Sequence, residues 1–207
     1  KQKYKQLYCA FIDYRKAFDF IDRTSLWRKL IENNINSNVI RVIYNLYASA
    51  KSCVKNGKEL SPFFSCSVGV RQGENLSPLL FAIYLNDFQR FLEQKYEGLS
   101  AFKITANNIL SDEDTEVFIK LYLLLYADDT IVMAETAEEL NVALEAVNCY
   151  CTDWNLTVNI DKTKIVIFSR GKITNFPPFK FGNEYIEVVQ DYVYLGTKFN
   201  FNGNHNK

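Results

Sequence analysis

A chain of 207 residues, nearly half of them apolar, can bury one compact core or a core with a small appendage, and the absence of an uncharged apolar run of about 18 residues predicts a soluble protein with no membrane span. Its 24 Lys and Arg balance its 24 Asp and Glu, which argues against coating nucleic acid by charge alone, though not against a protein with acids at its centre and bases elsewhere. Five cysteines without CxxC spacing and a single His205 leave no Cys/His zinc cluster and no His-based triad; chemistry would run on carboxylates and lysines, and reduced cysteines suit the cytoplasm or nucleus. The opening Lys1-Gln2-Lys3-Tyr4 reads like the inside of a longer chain.

Leu7 to Ile12 is a short apolar run ending at Asp13, the pattern of a buried strand with a carboxylate at its C-terminal end. Asp22, Thr24 or Ser25 can cap a helix with Leu26, Trp27, Leu30 and Ile31 as its apolar stripe. A second helix, about 38–50, carries Val39, Ile40, Val42, Ile43, Leu46 and Tyr47, which core packing explains. Asn56-Gly57 predicts a type I′ hairpin between strands at 52–55 and 59–70. A glycine loop through Gly73 leads to Leu76-Ser77-Pro78, with Ser77 as cap of one helix to about Gln94, buried along Leu79, Leu80, Ile83, Tyr84, Phe88 and Phe91. The acidic stretch within 95–116 reads as a surface insertion.

Leu121 to Tyr126 and Thr130 to Ala134 are apolar, strand-forming runs on either side of Ala127-Asp128-Asp129, so a hairpin with two adjacent acids at its tip is expected. Asp-Asp at a turn is compatible with an ordinary solvated turn. Held at the end of a buried hairpin, the pair repels itself unless water, a base or a cation compensates; a divalent metal is the economical answer, and Asp13 offers a third carboxylate in a matching context. Thr136 with Glu139 forms a capping box for a helix to about Trp154. Strands are expected at 156–160 and 165–168, a hairpin about Gly182-Asn183, and a last strand and turn at 192–196. The sum is an α/β (α+β) layer, an antiparallel sheet backed by helices on one face, with the acids on the open face.

These segments resemble the palm of a reverse transcriptase of the non-LTR (LINE-type) retrotransposon group. Phe11-Ile12-Asp13-Tyr14-Arg15-Lys16-Ala17-Phe18-Asp19 is similar to the family's first acidic motif, Gly69-Val70-Arg71-Gln72-Gly73 through Phe81 to the second, and Tyr126-Ala127-Asp128-Asp129 to the third. Trp154-Asn155-Leu156 through Lys162-Thr163-Lys164 resembles the fourth, and Tyr194-Leu195-Gly196 the fifth, the primer grip. The resemblance implies a polymerase palm with partial fingers elements over 1–170 and a primer-grip hairpin region over 171–207, with the rest of the fingers, the thumb and other polyprotein domains outside the chain.

By the same resemblance the chain is an RNA-directed DNA polymerase core, adding dNTPs to a DNA primer 3′-OH on an RNA or DNA template with two Mg²⁺ ions, for which Mn²⁺ can substitute. Asp13, Asp128 and Asp129 would hold the metals, and Lys162, otherwise a surface lysine, would donate a proton to pyrophosphate. Tyr14, Arg15, Lys16 and Ala17 would receive the triphosphate; Phe18, otherwise a core aromatic, would exclude a 2′-OH; and Gln72 and Gly73 would contact the incoming nucleotide and template. A decayed or domesticated copy that binds nucleic acid or protein without catalysis is the rival reading, disfavoured by the intact acids. An RNA-directed RNA polymerase is disfavoured by Phe18.

Overall fold

The computed structural model describes residues 6–71, 73–95, 102–105, 116–119, 123–126, 129–171, 173, 175–202 and 205–206. Two compact units make up the chain: Lys1–Tyr14, Gln89–Tyr150 and Val158–Lys207 in the first, Arg15–Phe88 with Cys151–Thr157 in the second. The elements in order are β1 (Gln6–Asp13), α1 (Arg23–Glu32), α2 (Ser37–Ala48), β2 (Lys51–Ser52), β3 (Lys55–Asn56), β4 (Glu59–Leu60), β5 (Phe64–Ser65), α3 (Leu76–Tyr84) and α4 (Phe88–Lys95). Then follow β6 (Phe102–Thr105), β7 (Glu116–Ile119), β8 (Leu123–Tyr126), β9 (Asp129–Ala134), α5 (Ala137–Asp153), β10 (Lys164–Ser169), β11 (Phe179–Phe181), β12 (Glu184–Val189), β13 (Asp191–Tyr194), β14 (Thr197–Asn200) and β15 (His205–Asn206).

The first unit is built on a six-stranded sheet of order β11-β12-β10-β1-β9-β8. β1 is interior because its residues 8–12 are apolar on both faces, and all five are buried. Strand alternation puts Tyr8, Ala10 and Ile12 on one face and Cys9, Phe11 and Asp13 on the other. On the first face the Tyr8 ring lies 6.2 Å from Phe179, and the charge of Glu138 on α5, after burial itself, raises the Tyr8 pKa, so α5 backs this side. On the second face Phe11 stacks on Tyr192 at 4.6 Å and approaches Tyr194 and Phe199, so the β13–β14 hairpin lies here. The expected antiparallel sheet holds with one amendment: β10 and β12 run parallel. The loop after β10 carries the chain to the sheet edge, and the Gly182-Asn183 turn folds β12 back inward between β11 and β10. α5 opens with the expected capping box, the Thr136 and Glu139 side chains each accepting the other's backbone N–H at 3.2 Å.

The second unit departs more from expectation. Asp22 caps α1, accepting the Ser25 N–H at 2.7 Å, but α1 buries Leu26, Lys29 and Leu30 while Ile31 is exposed. On α2 only Ile43 and Tyr47 are buried; Val39, Val42 and Leu46 are exposed, so the core does not account for them. The hairpin turn is Gly57-Lys58 rather than Asn56-Gly57, because Asn56 pairs with Glu59 as the last strand residue, and Gly57 supplies a positive φ of 61° at the first central position. The strand expected over 59–70 is broken into β4 and β5, and 66–70 is irregular. The single helix expected from Ser77 to Gln94 is two, α3 and α4, interrupted at 85–87; α3 starts at Leu76, and Ser77 instead donates its hydroxyl to the Arg71 carbonyl, while Leu79 is exposed.

Lys29 explains the interruption. Its side chain is 1% exposed, its ammonium pairs with Asp87 from the 85–87 turn, and it sits 3.4 Å from the Trp154 ring centroid. Burial lowers its pKa more than Asp87 raises it. The folded protein therefore releases this proton before the unfolded chain does, and raising the pH through the alkaline range stabilises the fold at this position. Asp87 is 44% exposed, so the two halves of the pair are not equivalent. Asp87→Ala, which leaves a buried ammonium without its acid, is expected to cost about 2–3 kcal/mol at neutral pH, and Lys29→Met about 1 kcal/mol or less, because water still solvates Asp87. Denaturant unfolding at neutral and alkaline pH checks this: the Asp87→Ala deficit should shrink as pH rises, and equal costs for the two variants would refute the account.

Among the described residues, no helix is long and apolar enough to cross a membrane. Of the 95–116 insertion, 102–105 pairs antiparallel with 116–119; the rest, from 96 to 101 and 106 to 115, lies outside the described residues.

Candidate active site

In the first unit the chemistry gathers at the C-terminal end of β1. The register sets Asp129, the first residue of β9, directly across from Asp13, the last of β1. Tyr126 in turn pairs with Asp129, so β8 and β9 form the expected hairpin; Asp128 at its tip lies outside the described residues. Asp13 is fixed through its backbone on its other side: its N–H donates to Thr163 Oγ1 at 3.2 Å and its carbonyl accepts the Asn159 N–H at 2.7 Å. Thr163 is fully buried, and the Asn159 carbonyl accepts from Lys162 and Thr163, closing a turn that presents Lys162. The Lys162 ammonium lies 4.0 Å from Asp13 Oδ2, with side chains 68% and 28% exposed. An ion pair this long and this wet is weak. Asp13 thus keeps most of its capacity for another cation.

Beyond Asp13, Tyr14 is buried and bridges Val158, so its ring is not offered to a ligand. The expected strand at 156–160 reduces to this bridge. The primer-grip candidates form the β13–β14 turn: Tyr194 pairs with Thr197, and Leu195 and Gly196 have φ of 49° and 75°, a type I′ turn. Positive φ is costly for Leu, and this one is 52% exposed, so packing offsets little of the strain. The Tyr192 hydroxyl reaches the Lys162 carbonyl at 3.4 Å, so the hairpin touches the turn that presents Lys162.

In the second unit, Arg15 and Lys16 are exposed and Ala17 is buried. The Arg15 N–H donates to the Thr157 carbonyl at 2.7 Å, and Lys16, with φ of 49°, turns the chain so that its carbonyl accepts from Asp19 and Phe20. Phe18 is half-buried, its ring 5.1 Å from that of Phe81 on α3. Its carbonyl accepts the Val70 N–H at 2.7 Å, and the Gly69 N–H donates to Ile21 at 2.8 Å. Gly69 has φ of 78°, and a Cβ there would overlap the Asp19 carbonyl. Gly69→Ala is accordingly expected to cost about 2 kcal/mol or more in unfolding free energy, since neither backbone can give way; a loss under about 0.5 kcal/mol would mean the two segments are not in close apposition.

Gly73 differs: its φ is 83°, it is exposed, and among the described residues nothing lies within 4 Å of where a Cβ would be. Gln72 lies outside the described residues. Arg71 is anchored rather than merely solvated, pairing with Glu74 at 2.8 Å and donating to the Leu46 carbonyl at 3.3 Å.

The structure thus brings Asp13, Asp129 and Lys162 together in the first unit, and Phe18 with the Gly69–Gly73 loop in the second. Sequence reasoning missed Asn159 and Thr163 as the backbone clamp on Asp13, and Arg23, Lys29 and Asp87. For Lys29 a signal existed, a charge on the helical stripe three residues after Leu26 and one before Leu30. Among the described residues no cluster of three or more His, Cys, Asp or Glu is placed to hold a metal.

The family described as reverse transcriptase (RNA-dependent DNA polymerase) matches residues 1–199. Curated relatives are non-LTR retrotransposon proteins: a retrovirus-related Pol polyprotein from the type-1 retrotransposable element R2 of Nasonia vitripennis is 26% identical over 98% of this chain, and the RNA-directed DNA polymerase from mobile element jockey of Drosophila funebris is 24% identical over 91%. The chain spans 19% of the length of each of these relatives. Among solved structures, apo telomerase from Candida tropicalis superimposes with a TM-score of 0.64 at 17% identity, over 98% of this chain and 35% of the telomerase chain. A second, telomerase of the same organism in complex with a fragment of telomeric RNA, gives 0.60 at 15%, over 99% and 30%. At such identities the likeness speaks for the fold, which is that of a polymerase palm. The fold that carries Asp13 opposite Asp129 is therefore similar to that of telomerase, and with the family match running through all but the last few residues, the chain belongs to the reverse transcriptase family.

Proposed function

We propose that this chain is the catalytic palm of an RNA-directed DNA polymerase from a non-LTR retroelement polyprotein, extending a DNA primer with dNTPs on an RNA or DNA template. The observation that carries the reading is the register of Asp13 against Asp129 beside Lys162.

Reverse transcriptases use divalent metals, and the residues here fit them: carboxylate oxygens suit hard, hydrated ions, and one exposed ammonium does not neutralise the acids at this end of the sheet. Asp13 and Asp128 would be the principal ligands of two Mg²⁺ ions, with Asp129 completing the site and Mn²⁺ able to substitute. Bound there, such ions would supply acidification of the primer hydroxyl and neutralisation of the departing pyrophosphate. The chain's own residues do the rest. Phe18, backed by Phe81, excludes a 2′-OH from the sugar's place. The backbone of Tyr14 to Ala17 receives the triphosphate, and Gln72 and Gly73 meet the nucleotide and template. Lys162, 68% exposed and beside Asp13, protonates pyrophosphate. The Tyr194-Leu195-Gly196 turn holds the primer end.

Primer extension by the full-length polyprotein, with Mg²⁺ or Mn²⁺ and on RNA and DNA templates, tests the reading. Template-dependent addition of dNTPs is expected. A protein that binds primer and template yet extends neither would instead be a decayed or domesticated copy.

A further inference from the structure

We propose that Arg23 is a positioning residue that sets the width of the nucleotide pocket, by fixing the segment leading into Arg71–Gly73 against the turn that carries Phe18; the inference rests on the polymerase reading above. Arg23 opens α1 and has no part in the chemistry described so far. Its guanidinium donates from Nε to the Gly69 carbonyl at 2.9 Å, from Nη1 to Cys66 at 2.5 Å and Tyr47 at 3.1 Å, and from Nη2 to Val68 at 3.2 Å. It also lies 5.1 Å from the centroid of the Tyr47 ring. Four backbone carbonyls from two segments thus converge on one planar cation, three of them within the four residues 66–69.

That segment is irregular and needs such a staple. It carries no strand hydrogen bonds, and its own backbone is tied down through the Cys66, Gly69 and Val70 N–H groups, which reach Ala50, Ile21 and Phe18. The N–H groups therefore face outward to neighbouring segments while the carbonyls of 66, 68 and 69 are gathered by Arg23. Two of those N–H bonds end on the Phe18–Ile21 turn, and the Val70 bond ends on Phe18 itself. Any drift of the segment consequently moves both Phe18, to which it is bonded, and Arg71, into which it leads, and so the two places where the nucleotide is proposed to be met. Ser77 also holds the Arg71 carbonyl, so the chain is tied down on both sides of the Val70–Arg71 peptide, where it leaves this segment.

Only a rigid fork with several donors in one plane can satisfy carbonyls spread this way; a lysine ammonium in the same place reaches one or two of them. The consequence is specific. Loosening the pocket should weaken the hold on the incoming nucleotide and admit a bulkier sugar, without altering the carboxylates that act on the primer hydroxyl.

Arg23→Lys and Arg23→Met in the full-length polyprotein, assayed by single-nucleotide extension of a fixed primer–template with dNTP and rNTP, test this. Arg23→Lys should raise KM for dNTP about ten-fold with kcat changed less than about threefold, and Arg23→Met more, with dNTP-over-rNTP preference falling in the same order. Thermal melting accompanies the assay; should Arg23→Met fail to fold, Arg23→Lys carries the test. Wild-type KM and sugar preference in Arg23→Lys, or a fall in kcat at unchanged KM, would overturn the inference. A wild-type protein that extends normally while Arg23→Lys is indifferent sinks this inference alone; a wild type that adds no nucleotide sinks the polymerase reading and this with it.

Discussion

Asp13→Asn in the full-length polyprotein is expected to lower primer extension about a thousand-fold or more, while the fold and primer–template binding persist. The substitution keeps the shape of the side chain and removes its charge. The bonds that hold residue 13 in place come from its backbone, to Thr163 and Asn159, and from the pairing of β1 with β9 and β10. None needs the carboxylate. Its side-chain partner among the described residues, Lys162 at 4.0 Å, is too distant and too exposed to contribute much stability. On the proposed role, what is lost is a ligand for a divalent ion, and with it several kcal/mol of charge stabilisation in the transition state, each 1.4 kcal/mol of which is about ten-fold in rate. Asp128→Asn should behave alike. Extension within about ten-fold of wild type in either variant, with melting unchanged, would remove that residue from the site.

Phe18→Ala should cut the preference for deoxynucleotides over ribonucleotides by about ten- to a hundred-fold, the range open to a purely steric discrimination. A core Phe and a sugar gate predict different things here. The ring is half-buried against Phe81, so truncation costs stability in either case, about 2 kcal/mol for a site not fully enclosed. A packing role alone would leave the ratio of kcat/KM for dNTP and rNTP where it was, because lost stability lowers both alike. Removing a wall from beside the sugar raises rNTP use specifically. Competition between matched dNTP and rNTP on one template reads that ratio directly, and an unchanged ratio would return Phe18 to the core. Arg23→Lys shifts the same ratio from outside the pocket, so the two variants combined should give less than the sum of their separate effects.

Much of the first unit is legible in the sequence. β1, the β8–β9 hairpin, the Thr136–Glu139 capping box and the Gly182-Asn183 hairpin each rest on a local rule: an apolar run, a turn dipeptide, a reciprocal cap. In the second unit local rules competed with contacts from afar. The periodic pattern of 76–94 favours one helix, yet the chain breaks at 85–87 where Asp87 meets Lys29, and no pattern within 76–94 encodes a lysine nearly sixty residues earlier. α2 has the apolar arc of a core helix but buries only Ile43 and Tyr47, since amphipathicity reports which residues could be covered and not whether a neighbour covers them.

The sequence by itself determined which residue types could do chemistry and the order in which they come, because acids after apolar strands and glycines in tight turns are consequences of short-range backbone geometry. Only the tertiary structure decided that Asp13 stands opposite Asp129, that Lys162 rather than another lysine lies beside it, and that Arg23 gathers the carbonyls of 66, 68 and 69. The reason is physical: strand register and the capture of carbonyls by a distant guanidinium join residues separated by dozens of positions, and their energies depend on which segments meet, a quantity no local spacing carries.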